Sequence, residues 1–306
     1  MKFGIKKQAL FSFLLVFLFL AACQKNSETQ SDQKDRMVVF VSVVPQQYFV
    51  DRIGGELVDT RAMVEPGASP ATYEPKPSQM AALSDAELYF SIGVAFEQVW
   101  LDKISSANAD MLIIDSAKGI ERLVMTDSHE HEDEDGHVEA EDVGELDPHI
   151  WLSPSLVKVQ AQNIYEALAI ADPENAMIYE ENLNQFLSDI TILQNELTET
   201  LANAANRKFM VFHPSWGYFA EDFNLEQLAI EVGGTEPSAS ELADLISEAQ
   251  EENIAVVFAQ PEFSTKDAET IASAIDGEVI LVSPLAYDWL ENLREVAGSF
   301  SSAMSK

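Results

Sequence analysis

Four of the five histidines of this 306-residue chain lie within residues 128–151, SHEHEDEDGHVEAEDVGELDPHIW, among a near-continuous run of carboxylates. Imidazole is the commonest neutral ligand of transition metals, and carboxylate oxygens suit the harder cations, so the stretch points to metal chemistry. His129, His131 and His137 stand in a segment without apolar anchors, which predicts a solvated loop that collects cations; a charged insertion without function is the alternative. His149 is different, because Pro148 precedes it and Ile150-Trp151 follow. The fifth histidine, His213, opens His213-Pro214-Ser215-Trp216 directly after an apolar run. A single histidine is more often structural than a ligand, but two in proline-braced loops form a candidate pair.

Composition restricts what such a pair can serve. With 47% hydrophobic residues the chain can bury a sizeable core, and its length allows two domains. A formal net charge of −34 repels phosphate backbones and anionic membrane surfaces, so nucleic acid is excluded as a partner and cations are favoured. The N-terminus carries Lys2, Lys6 and Lys7, then the apolar run Leu10–Leu20, then Ala21-Ala22-Cys23. This is the pattern of an export signal over residues 1–22, too short in its apolar part for a permanent membrane span. Cys23 is the sole cysteine and cannot form an internal disulfide. Its setting resembles a bacterial lipobox, which implies lipidation and a membrane anchor, with residues 23–36 as a flexible tether.

The candidate ligands must be positioned by the elements around them. Met37–Val44 is a β-branched run followed by Pro45 and a helical pattern closed by Gly54-Gly55, which makes a βα unit. Val58–Val64, Glu87–Ile92 and Met111–Asp115 read as further buried strands, with helices at Ser78–Leu83 and Phe96–Ala107. After the acidic loop, 126–147, the alternation resumes: strands at Phe209–Phe212, Glu226–Val232, Ala255–Ala259 and Val279–Val282, helices near Ala239–Asn253, Lys266–Ile275 and Trp289–Ala303. The expected class is α/β, as two lobes with mostly parallel sheets, 37–156 and 207–306. Between them, 157–206 is helical, and apolar residues recur every three or four positions through one long linking helix at 173–205; two shorter helices are the alternative there. In open parallel sheets ligands bind beyond the carboxyl ends of the strands. His213 and the segments 65–75 and 147–151 are therefore the places to inspect.

Those segments also carry a resemblance. PGASPATYEPKPSQM, DPHIWLSP, FHPSWGYFA, EPSASELADLI, QPEFSTKDAETIA and SPLAYDWLENL, spread in order from Val38 to Phe300, resemble the motifs of the zinc- and manganese-binding lipoproteins that deliver metal to ABC importers. The resemblance implies two lobes joined by one rigid helix, with the metal in the interlobe cleft. It also implies Zn2+ as cargo with Mn2+ as alternative, an ABC permease as partner, a monomeric lipoprotein on the periplasmic side or cell surface, and no enzymatic activity. His149 and His213 match the second and third ligand positions of that family. At the first, where most members have histidine, this chain has Ala71; at the fourth, where most have aspartate, it has Ser283. Two imidazoles underfill a tetrahedral site, so Glu262, Asp288 and Glu65 are the nearby oxygen candidates, with Ser283 a weak one. Glu262 and Asp288 read more readily as carboxylates stabilised at helix starts than as ligands. Two other functions remain open: a surface adhesin with a degenerate metal site, and a metallohydrolase with Glu262 as base, which has no HExxH motif to support it.

Overall fold

The computed structural model describes residues 36–125, 146–202, 204–231 and 237–305. The export signal, Cys23, most of the tether and the loop histidines His129, His131 and His137 lie outside the described residues.

Strand β1 (Met37–Val41) is shorter than its apolar run. The reason is Gln46, whose side-chain oxygen accepts the N–H groups of Ser42 (3.0 Å) and Val43 (3.2 Å). The chain therefore turns into helix α1 (Val44–Gly54), with Pro45 in its first turn, where no backbone N–H is needed. Strands β2 (Val58–Ala62), β3 (Leu88–Ser91) and β4 (Leu112–Asp115), with helices α2 (Pro77–Ala82) and α3 (Ala95–Ala107), complete the N-terminal lobe. The C-terminal lobe repeats the plan with β5 (Lys208–Val211), α6 (Gly217–Phe223), β6 (Glu226–Ala229), α7 (Ala239–Glu251), β7 (Val256–Ala259), α8 (Lys266–Ala274), β8 (Glu278–Leu281) and α9 (Trp289–Met304). Every strand pair is parallel, and the orders β2-β1-β3-β4 and β6-β5-β7-β8 are the same. Each sheet thus has a switch point between its first and third strands, where an open α/β sheet presents a crevice.

The helical segment between the lobes contains two helices, α4 (Pro154–Ala171) and α5 (Ala176–Leu201), with a 3-10 turn, Pro173–Asn175, between them. Ser153 caps α4 by accepting the N–H of Leu156, and Pro154 occupies its first turn. Asp172 interrupts the run: its carboxylate accepts the Tyr179 hydroxyl at 2.9 Å and the Asn175 amide. The linking helix consequently begins three residues after Pro173, but it is a single helix of 26 residues, about 39 Å long.

Helix α5 packs against α1, α4 and α9. Phe186 of α5 meets Tyr48 and Phe49 of α1 and Trp289 of α9, with ring centroids 5.8–6.4 Å apart. Arg52 pairs with Asp189 and Arg294 with Glu196, one from each lobe. One continuous apolar core accordingly includes Phe49, Trp151, Phe186, Trp289 and Phe300, while a second, with Met210, Leu245 and Ile271, lies on the other face of the C-terminal sheet. Among the described residues no helix is long and apolar enough to cross a membrane.

Candidate metal centre

His213 follows β5 at the switch point of the C-terminal sheet. Its peptide is held on both sides by the buried Gln260, which follows β7: the Gln260 oxygen accepts the His213 N–H (3.3 Å), and its amide donates to the His213 carbonyl (2.9 Å) and the Ser215 hydroxyl (3.0 Å). The ring of Phe263 stacks on the imidazole at 5.0 Å. Glu231, two residues beyond β6, engages His213 Nδ1 with its carboxylate.

His149 precedes the 3-10 turn Ile150–Leu152. Asp147 Oδ1 accepts both its backbone N–H (2.8 Å) and its Nδ1 (2.7 Å). The turn is locked to the C-terminal lobe by two indoles, Trp151 donating to the Pro284 carbonyl (2.7 Å) and Trp289 to the Trp151 carbonyl (2.6 Å). The two imidazoles meet with centroids 5.1 Å apart and planes at 74°. Burial pushes His149 below the ordinary histidine value, against the pull of Asp147, and the nearby His213 acts in the same direction as burial. The ring is therefore neutral at neutral pH, and a proton on Nδ1 facing Asp147 leaves the Nε2 lone pair available. At His213, Nδ1 likewise faces a carboxylate, that of Glu231. A histidine whose second nitrogen donates to a carboxylate is the usual form of a metal-ligating imidazole.

The family model of ZnuA, zinc-uptake complex component A periplasmic, matches residues 39–303. The chain belongs to the ZnuA family. It is 30% identical over 286 residues to the high-affinity zinc uptake system protein ZnuA of Bacillus subtilis (strain 168), covering 92% of this chain and 89% of that one. A crystal structure of a ZnuA shares 49% identity and a TM-score of 0.81, covering 89% of this chain and 100% of that one; a zinc-bound 138-173 deletion mutant of ZnuA has the same identity and TM-score, over 89% of this chain and 99% of that one. The laminin-binding protein of Streptococcus agalactiae, described as bifunctional with adhesin and metal transporting activity, matches at 24% identity and TM-score 0.76, over 88% of this chain and 99% of that one, a likeness of fold alone.

The remaining candidates of this ZnuA-family chain occupy different surroundings. Ala71 is exposed in the turn after Pro70, whose carbonyl accepts the N–H of Phe96. Ser283, after β8, lies 3.5 Å from the Glu262 carboxylate. Glu262 is half-buried, and burial raises its carboxyl above the ordinary range; its Oε2 is buried without a partner, and the next residue, Phe263, stacks on His213. Asp288 is exposed, immediately ahead of α9, and Glu65 is paired with Lys76 at 2.6 Å. Among the described residues no group of three His, Cys, Asp or Glu side chains gathers closely enough to hold a metal. Sequence reasoning missed Asp147, Glu231 and Gln260 as supports for the two rings. Glu231 was accessible in principle, since pairing β5 with β6 places the residue after β6 beside the residue after β5.

Proposed function

We propose that this chain is the extracytoplasmic binding subunit of an ABC importer, that it captures Zn2+ between its lobes with His149 and His213, and that it hands the ion to the membrane permease. The observation that carries the reading is the imidazole pair itself: one ring is set by the segment ahead of α4 and the other by the end of β5, and each has Nδ1 engaged by a carboxylate. Two nitrogen donors favour zinc over manganese, for which more oxygen ligands would be needed. Of the oxygen candidates Glu262 alone has a buried oxygen without a partner, whereas Glu65 is paired with Lys76 and Asp288 faces solvent; in the metal-free arrangement it does not yet close with the two imidazoles into a group of three, so its role as third donor requires it to move on binding. Solvent completes the coordination in place of Ala71. The protein acts as a monomer held to the membrane through lipidated Cys23, with His129, His131 and His137 as a weak collector of ions. It binds and delivers, and performs no catalysis.

Chelator competition tests the pair. His149→Ala and His213→Ala should each lower zinc affinity by at least about 100-fold, since one ligand is a large share of the roughly 10–16 kcal/mol of a zinc site. Circular dichroism should show both variants folded. Wild-type affinity in both would dismiss this pair as the site.

A further inference from the structure

We propose that Tyr218 is a positioning residue of the metal centre, acting through Asp147 on His149 and fastening the neck of the acidic insertion to the C-terminal lobe. The inference rests on the reading of His149 and His213 as metal ligands.

The neck is formed by the two chain segments that enter and leave the insertion. Val124 pairs with Leu146 in an antiparallel bridge, and the N–H of Asp147 donates to the Leu123 carbonyl at 2.9 Å. Tyr218, buried on α6, places its hydroxyl across both segments. The oxygen accepts the N–H of Leu123 (2.9 Å) and its proton goes to the carbonyl of Asp147 (2.8 Å). Asp147 is thereby held through both backbone groups, while its Oδ1 orients the His149 ring.

The neighbour of Tyr218 contributes as well. A β-carbon on Gly217 would stand 3.1 Å from Asp147 Oδ2, so the absence of a side chain there lets the carboxylate sit against α6. A hydroxyl suits this position because it accepts one hydrogen bond and donates another. Burial pushes Tyr218 up to about 12, which keeps the donor neutral at any physiological pH. Phenylalanine would leave a part-buried N–H and a buried C=O to find other partners, and the Asp147 backbone would relax away from α6. The direction of the His149 lone pair follows the carboxylate, so metal geometry depends on an oxygen that touches neither the ring nor the ion. The same oxygen links the mouth of the insertion to the site.

Zinc affinity of Tyr218→Phe, measured by chelator competition, should fall by about ten-fold, the lower end of the cost of losing a partner that orients a ligand. Tyr287→Phe is the control: it removes another hydroxyl bond between lobes, to Asp51 at 2.8 Å, and should leave affinity unchanged. Two readings separate positioning from general loosening. In metal-free protein the His149 ring N–H resonance should shift in Tyr218→Phe while that of His213 stays. In a double-mutant cycle with Asp147→Asn, the second substitution should add little once the first is present. Unchanged affinity in Tyr218→Phe, or full additivity with Asp147→Asn, overturns the inference while leaving the metal site standing. Unchanged affinity in His149→Ala and His213→Ala overturns the site itself.

Discussion

Asp147 and Glu231 each take the Nδ1 of a histidine, and in doing so they leave Nε2 as the nitrogen without a carboxylate partner. A buried carboxylate is costly unless it is partnered, so the two pairs stabilise each other in the metal-free protein and leave the Nε2 atoms as the unspent ligating capacity. Glu97 shows the opposite use of a buried carboxylate. It sits in the first turn of α3, accepts the N–H groups of Ile92 (2.9 Å) and Gly93 (2.8 Å) from the loop after β3, and faces Ser42, Tyr89 and Arg122. Burial raises its carboxyl above the ordinary range, against the pull of Ser42, the two N–H groups and Arg122. A carboxyl raised on folding contributes stability that is complete below its unfolded value, about 4.3, and is lost as pH rises through the folded value. Urea unfolding of metal-free protein should therefore show wild type losing ground to Glu97→Gln as pH rises from about 4 to 7. A difference that moves the other way would mean that the N–H groups outweigh burial.

At the scale of elements, α5 matters through the helices it touches from both lobes. Phe186 is fully buried and lies against α1 of the N-terminal lobe and α9, which belongs to the C-terminal lobe. Removing an aromatic ring from such a site costs about 3–5 kcal/mol. For a folded body of this size, Phe186→Ala should lower the melting midpoint by roughly 10 °C. Because the lobes share one core at this helix, the transition should stay single in calorimetry and move as a whole. A split into two transitions, only one of them displaced, would show that the lobes melt separately and that α5 does not couple them.

For the whole molecule, charge is the dominant property. With 52 acidic against 18 basic residues, the chain attracts cations at a distance, and the run of carboxylates within residues 128–147 is the densest part of that charge. Deleting His129–Glu141 leaves Asp147 and His149 in place. Calorimetry should then show the weak extra zinc equivalents gone and the tight site retained, and stopped-flow capture should be slower at low salt. Added salt should remove most of that rate difference, since the Debye length falls from about 30 Å at 0.01 M to about 8 Å at 0.15 M. Loss of the tight site on deletion, with recovery on Ala71→His, would place a loop histidine among the ligands instead.

The alternation of β-branched runs and amphipathic segments determined two α/β lobes and a long helix, because burial on a sheet face and on a helix face leaves different periods in the chain. His149 and His213 were also legible as candidates, both by a neighbouring proline and His213 also by the apolar run before it. Their closeness was not: 64 residues of sequence separate rings whose centroids lie 5.1 Å apart, and only parallel pairing and the packing of Trp151 and Trp289 bring them together. The run at Met37–Val44 looked like one strand because an apolar pattern does not reveal that Gln46, a polar residue on the next element, takes over the N–H groups of Ser42 and Val43. For the same reason Glu65, Asp288 and Glu262 were equal candidates in the sequence, whereas the fold gave the first a lysine, the second solvent and the third a buried oxygen without a partner. A residue's type fixes which bonds it can make; which of them it does make depends on neighbours that are distant in the chain, and those are settled only when the lobes and helices are packed.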